Sequence, residues 1–160
     1  FEAVVVDATE TPIERPKKAA ALLQRQEEGH TLKTQVVVDL NTRRIIATAH
    51  DVGRWHDFKL ARKSRTAVHP DTESFADSGY QGWRHTRALT QVPYKKTKNR
   101  PLDEDQKQYN TALARIRVLA EHIIRRLKIF RILKHEYRNR RKRFALCCNL
   151  VAAVCNLELS

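Results

Sequence analysis

The chain opens on a short β-branched run, Ala3-Val4-Val5-Val6, that stops at Asp7. Such a run predicts a buried strand with a polar residue at its C-terminal edge. Thr11-Pro12 and Arg15-Pro16 predict a break after it, and the mixed-charge stretch to Gly29 reads as loop with some helix. Thr31 to Leu40 predicts a second strand centred on Val36-Val37-Val38. Asn41-Thr42 makes a turn, and Arg44 to His50, around Ile45-Ile46-Ala47, predicts a third strand. These pieces form an antiparallel meander after the first strand. Gly53 closes it, and Asp57 to Arg65 is a helix candidate. Ser74-Phe75-Ala76 then repeats the opening logic: a short strand, Asp77 at its end, and a glycine turn, Ser78-Gly79-Tyr80-Gln81-Gly82. Trp83 to Leu89 predicts a helix, Gln91-Val92-Pro93-Tyr94 one more short strand, and Lys95 to Arg100 a basic loop.

The pattern changes period after that loop. From Leu102 to about Lys134 there is neither proline nor glycine, and Leu113, Ile116, Ala120, Ile123, Leu127 and Phe130 recur in steps of three and four. That predicts one long amphipathic helix with a single core face. A second helix is predicted from about Arg141 through Leu157, after a basic stretch from Lys134 to Arg143. Strands first, then flanking helices, read as an α/β fold with a mixed layer. The length suits one domain over residues 1–160.

Charge adds a partner. Lysine and arginine number 31 against 18 acids, a net charge of +13, and hydrophobic residues make up 41%. That hydrophobic share excludes wholesale disorder, and the charge points to a polyanion, of which nucleic acid is the commonest. A merely soluble basic protein or a ribosomal-type binder would share the charge, which says nothing about chemistry. Cys147, Cys148 and Cys155 cluster in one apolar segment, read as core residues in a reducing compartment rather than as zinc ligands. No apolar stretch is long enough for a membrane span, so no membrane partner is expected. The start at Phe1 and the lack of methionine do not resemble a signal peptide and read as a piece of a longer protein.

Two aspartates are the first chemical signal. Asp7 and Asp77 each end a short apolar strand. If those strands are neighbours, the carboxylates converge at one edge, and paired carboxylates suit Mg²⁺ or Mn²⁺. Ordinary strand-end or capping aspartates would look the same. Glu121 lies one step off the helix stripe, flanked by Arg117, Arg125 and Lys128. That face fits either salt bridges along a solvated helix or a metal-binding carboxylate among cations that hold a phosphate backbone. His122 reads as a packed or capping histidine, and His56-Asp57 as structural or substrate-positioning. Lys95, Lys96 and Lys98, together with Arg138, Arg140 and Arg141, favour DNA-backbone contact over a solvated face. Tyr94, Trp83 and Tyr137 are the candidate stacking rings beside them.

Taken in order, the segments Val5-Val6-Asp7-Ala8-Thr9-Glu10, His30-Thr31-Leu32-Lys33, Gly53-Arg54-Trp55-His56-Asp57 and Asp77-Ser78-Gly79-Tyr80-Gln81-Gly82 resemble the IS5-type transposases and their Harbinger relatives. So do Pro93-Tyr94-Lys95-Lys96 and Arg115-Ile116 through Glu121-His122, followed by Lys128 and Phe130-Arg131-Ile132-Leu133. The resemblance runs from about Val4 to about Asn156. It implies an RNase H-like fold, DNA cleavage at element ends and strand transfer. It implies Asp7, Asp77 and Glu121 as the acidic trio holding two Mg²⁺ or Mn²⁺ ions. It also implies double-stranded DNA, both transposon ends and target, as partner. A homo-oligomer on DNA and a bacterial intracellular, nucleoid location are expected with it. Two departures stand out. Lys17 to Gly29 lacks the tyrosine and Gly-Lys-Lys cluster usual there, and the family's N-terminal DNA-binding region is expected to be absent. A domesticated or decayed remnant that binds DNA without chemistry, and an RNase H-like nuclease acting on RNA or hybrids, are the competing readings.

Overall fold

In the computed structural model, which describes residues 1–14, 30–64, 68–83, 89–98 and 100–159, the opening valine run grows into β1 (Ala3–Pro12). Strand β1 pairs antiparallel with β2 (Thr31–Asp39) over Val4 to Pro12 and parallel with β4 (Glu73–Ala76) over Ala3 to Val6. Strand β3 (Ile45–Val52) adds antiparallel to β2, and β5 (Thr90–Gln91) parallel to β4. The order is β3-β2-β1-β4-β5. The expected meander and mixed sheet are therefore present. The valine run is unbroken because both faces of β1 are covered. Val4 and Val6 pack with Ala61, Ala76 and Tyr80, whereas Val5 packs with Phe75, Leu113 and Ala120 on the other side. Each such burial contributes about 1.5–3 kcal/mol.

Helix α1 (Asp57–Lys63) lies on the Val4 side. On the Val5 side lie α2 (Glu104–Leu127), the single-turn α3 (Arg131–Lys134) and α4 (Phe144–Leu157). Helix α2 starts on a capping box: Gln106 N donates to Asp103 Oδ1 (2.8 Å) while Asp103 N donates to Gln106 Oε1 (3.4 Å). At the far end of β2, the Asp39 carboxylate accepts from Thr42 N and Oγ1 (2.9 and 2.6 Å), bracing a turn in which Arg43 takes φ 60°. Asn156 ties α4 to β3, its side chain exchanging two 2.8 Å hydrogen bonds with the Ile45 backbone. Cys148 and Cys155 are buried and all three cysteines are free, as core residues should be.

Several predicted boundaries move: β3 runs on to Val52, the last helix starts at Phe144 after a 3-10 turn over Arg141–Arg143, and three further changes have a cause in the packing. Strand β1 does not break at Thr11-Pro12 but runs through Pro12. Beyond Val6 no strand pairs with its β4 side among the described residues, and proline is tolerated at the end of such an edge. There Thr11 Oγ1 donates to Leu133 O (3.0 Å) and Tyr137 N donates to Pro12 O (2.8 Å). Those same contacts shorten the long helix. It stops at Leu127, turns at Lys128 to Phe130 and resumes as α3, so that Leu127 and Leu133 enter one core cluster. Tertiary packing overrides the local period. The last strand ends at Gln91, not Tyr94, because the Tyr94 amide is taken by Asn110 Oδ1 (2.8 Å). The predicted loop-and-helix stretch before Gly29 and the predicted helix after Trp83 lie outside the described residues. Among the described residues no helix is long and apolar enough to cross a membrane.

Candidate active site

Parallel pairing of Val6 with Ala76 makes Asp7 and Asp77 the next residues along two adjacent strands. Asp77 is extended (φ −74°, ψ 170°) and leads into a 3-10 turn, Ser78–Tyr80, closed by Tyr80 N donating to Asp77 O (2.9 Å). The Asp77 carboxylate lies 3.2 Å from Arg117 Nη1, so α2 supplies its counter-ion. Asp7 accepts the Ala8 N–H at 2.8 Å. Its carboxyl is pushed above the ordinary carboxylate range, first by burial; the Ala8 N–H and Arg117 oppose this, while the charges of Asp77 and Asp57 add to it.

Asp57, the first residue of α1, is thus a third acid in the same field. Lys33, whose side chain is only 11% exposed, donates to Asp57 Oδ1 (2.8 Å) and Trp55 O (2.7 Å) and lies 3.3 Å from Glu10. Burial works against this ammonium, but Asp57 and then Glu10 more than offset it, and its pKa is raised. Gly79 is required beneath Asp57, since a Cβ there would fall 2.4 Å from Asp57 Oδ2. Tyr80 closes the floor, its hydroxyl 3.4 Å from Gln35 Oε1; burial, then Asp57, Asp7 and Asp77, raise its pKa.

Glu121 is exposed and stands four residues, about 6 Å of rise, beyond Arg117 on α2. Asp7 and Asp77 are brought together; among the described residues no three His, Cys, Asp or Glu side chains are close enough to hold one ion as they stand. His122 and His56 are exposed, and His56 makes no side-chain capping bond. Of the expected DNA-contact residues, Lys95, Lys96, Lys98, Arg125, Arg140 and Arg141 are exposed. Arg138 lies 3.5 Å from Glu136, and Lys128 donates to Glu10 O (3.3 Å). Arg117 is instead turned onto Asp77, with its Nε buried and lacking a hydrogen-bond partner. Trp83 and Tyr137 are buried in the core, so the structure removes both from the stacking candidates. Tyr94 is half-buried against Tyr109, ring centroids 5.2 Å apart.

Sequence reasoning passed over Lys33 and the tie between Asp57 and the two aspartates. The available signal was a lysine in the strand that carries Val36-Val37-Val38, two-residue alternation placing it on the same face as Val37, where a buried ammonium needs an anionic partner.

A family model described as DDE superfamily endonuclease matches residues 6–158. A probable transposase for insertion sequence element IS702, from Microchaete diplosiphon, is 46% identical over 158 residues, covering 98% of this chain and 57% of that relative. The chain therefore spans little more than half the length of the curated relative it matches. No solved structure matches it.

Proposed function

The chain belongs to the DDE superfamily endonuclease family, and from that premise we propose that it is the RNase H-like catalytic domain of a transposase, cutting DNA at element ends and joining them to a target. The observation that carries this reading is the parallel register of β1 and β4, which sets Asp7 beside Asp77 under a helix bearing Arg117 and Glu121. The order β3-β2-β1-β4-β5, with β1 antiparallel to β2 and parallel to β4, supports the RNase H-like assignment.

The donor set suits a hard divalent cation. All its groups are carboxylates, and Asp7 is held among like charges in a partly desolvated position, which a cation would relieve. Asp7, Asp77 and Glu121 would hold Mg²⁺ or Mn²⁺. Two such ions supply activation of water or a 3′-hydroxyl and stabilisation of the leaving oxygen. The protein's own residues do the positioning. Arg117 holds the Asp77 carboxylate; Lys33 fixes Asp57; Gly79 lets Asp57 pack against the turn that carries Asp77. Exposed Lys95, Lys96, Lys98, Arg125, Arg140 and Arg141 would take the DNA backbone of transposon ends and target, in a homo-oligomer inside the cell.

The test is Mg²⁺- or Mn²⁺-dependent nicking of plasmid DNA, compared with Asp77→Ala. Equal nicking by both refutes the enzymatic reading. The one observation favouring a DNA-binding protein without chemistry is that Glu121 stands apart from the two aspartates. DNA binding that persists in EDTA, with no cleavage in either metal, would establish that reading instead.

A further inference from the structure

The β3–α1 corner carries a group of side chains that the site does not use. Arg54, Lys59, Arg62 and Lys63 are exposed around Trp55, which is half-buried. The ammonium groups of Lys59 and Lys63 each lie 4.1 Å from the centre of the Trp55 ring. Residues 55, 59 and 63 are four apart, so one indole collects two cations from one flank of α1. Lys63 is also paired with Asp51 (2.7 Å), and Lys59 is within electrostatic reach of the same carboxylate. Arg54 and Arg62 have no ion-pair partner among the described residues. Like charges concentrated on one ring and left short of counter-charge are a standing demand for an anion.

Position gives that anion an identity. Helix α1 begins at Asp57, whose charge reaches Asp7 and whose carboxylate is pinned by Lys33 and packed on Gly79. Lys59 and Arg62 are two and five residues further on, within about 8 Å of helix rise from Asp57. Adjacent phosphates on one DNA strand are separated by a comparable distance. A strand with one phosphate at Asp7 and Asp77 can therefore lay its neighbours along α1.

We propose that Arg54, Trp55, Lys59 and Arg62 form a DNA-backbone cradle beside the acidic pair, holding the strand that flanks the cut. This rests on the nuclease reading, and it adds a contact surface apart from the Lys95–Lys98 loop and the Arg138–Arg143 stretch. Trp55 is the rigid platform that gathers the two ammonium groups; the arginines take phosphate oxygens.

The test is the salt dependence of affinity for a labelled short duplex, in EDTA so that no cleavage intervenes. Lys59→Gln/Arg62→Gln should lower the slope of log K against log[salt] by about 1.8, at about 0.9 for each phosphate no longer neutralised. Trp55 fluorescence should change on DNA addition, and that change should vanish in Trp55→Phe. An unchanged slope in the double variant, with wild-type circular dichroism, overturns the cradle. Metal-dependent nicking by wild type and not by Asp77→Ala keeps the nuclease reading standing whatever the slope shows, so the two ideas fail separately.

Discussion

Gly79→Ala is the sharpest probe of how the site is held. The new Cβ would sit 2.4 Å from Asp57 Oδ2, 3.2 Å from its Cγ and 3.3 Å from its Cβ. Ordinary van der Waals contact begins about 1 Å further out than the first of these, so the carboxylate or the turn must give way. The carboxylate is not free to move: Lys33 holds it at 2.8 Å, and that ammonium is itself fixed by Trp55 O and Glu10. Overpacking of this kind costs about 1–3 kcal/mol. We expect about 2 kcal/mol, a fall in Tm of about 4–8 °C for a chain of this size. Because Asp77 is two residues away, a displacement near 1 Å should lower nicking by up to about a hundredfold.

The assay is a double-mutant cycle by thermal or urea unfolding, with nicking measured alongside. Asp57→Ala removes Oδ2 and Cγ, the two nearest atoms that the new methyl strikes. Gly79→Ala should therefore be nearly neutral for stability in the Asp57→Ala background, giving a coupling energy of about 1–2 kcal/mol. If Gly79→Ala costs the same in both backgrounds, the clash with Asp57 is not the reason for this glycine and the reasoning fails.

Asp103→Ala removes the side-chain half of the α2 capping box and should cost about 1 kcal/mol in urea unfolding; a neutral result would mean that packing alone fixes the helix start. His50 is held below its ordinary pKa, chiefly by burial, so the native state binds fewer protons than the unfolded chain just below pH 6.5. Stability should therefore fall as pH drops through that region, and His50→Gln should flatten this part of the profile. Asp7 has the opposite sign: its raised pKa means that the native state binds more protons, so it lowers stability as pH rises through the carboxylate range. Asp7→Asn should thus melt higher than wild type in EDTA, abolish nicking and lose the stabilisation by Mg²⁺ expected of wild type. A lower Tm for that variant in EDTA would contradict the electrostatic account.

What could be read in advance followed local pattern. A valine run ending at Asp7 and the short run Ser74-Phe75-Ala76 ending at Asp77 marked the two strands, and steps of three and four marked α2. Asp7 and Asp77 needed one non-local fact, the adjacency of β1 and β4, which short strands of matching character made reasonable. Lys33, Asp57 and Gly79 were illegible as a unit because their contacts join β2, α1 and the turn after β4. Arg117 read equally well as a DNA contact or a salt-bridge partner; only the packing of α2 on the sheet turns it toward Asp77. Similarly, nothing in the residue order from 127 to 137 announces the break after Leu127, which is set by hydrogen bonds to the end of β1.

The charges at this centre oppose the charge of the chain. A molecule of net charge +13 places Asp7, Asp57 and Asp77 together and answers them with Lys33 and Arg117. The outer cations attract a polyanion, while the acidic centre repels the very phosphate they deliver. On the nuclease reading proposed above, a further cation arriving with the DNA would reconcile the two tendencies. Monovalent salt should accordingly weaken DNA binding by screening the outer charges, whereas a divalent ion at the acids should strengthen it at constant ionic strength. That opposition belongs to the centre rather than to the surface: in Asp7→Asn/Asp77→Asn the divalent gain should disappear while the monovalent loss remains. A divalent ion that merely weakens binding of the wild-type chain would mean that Asp7 and Asp77 do not meet the phosphate at all.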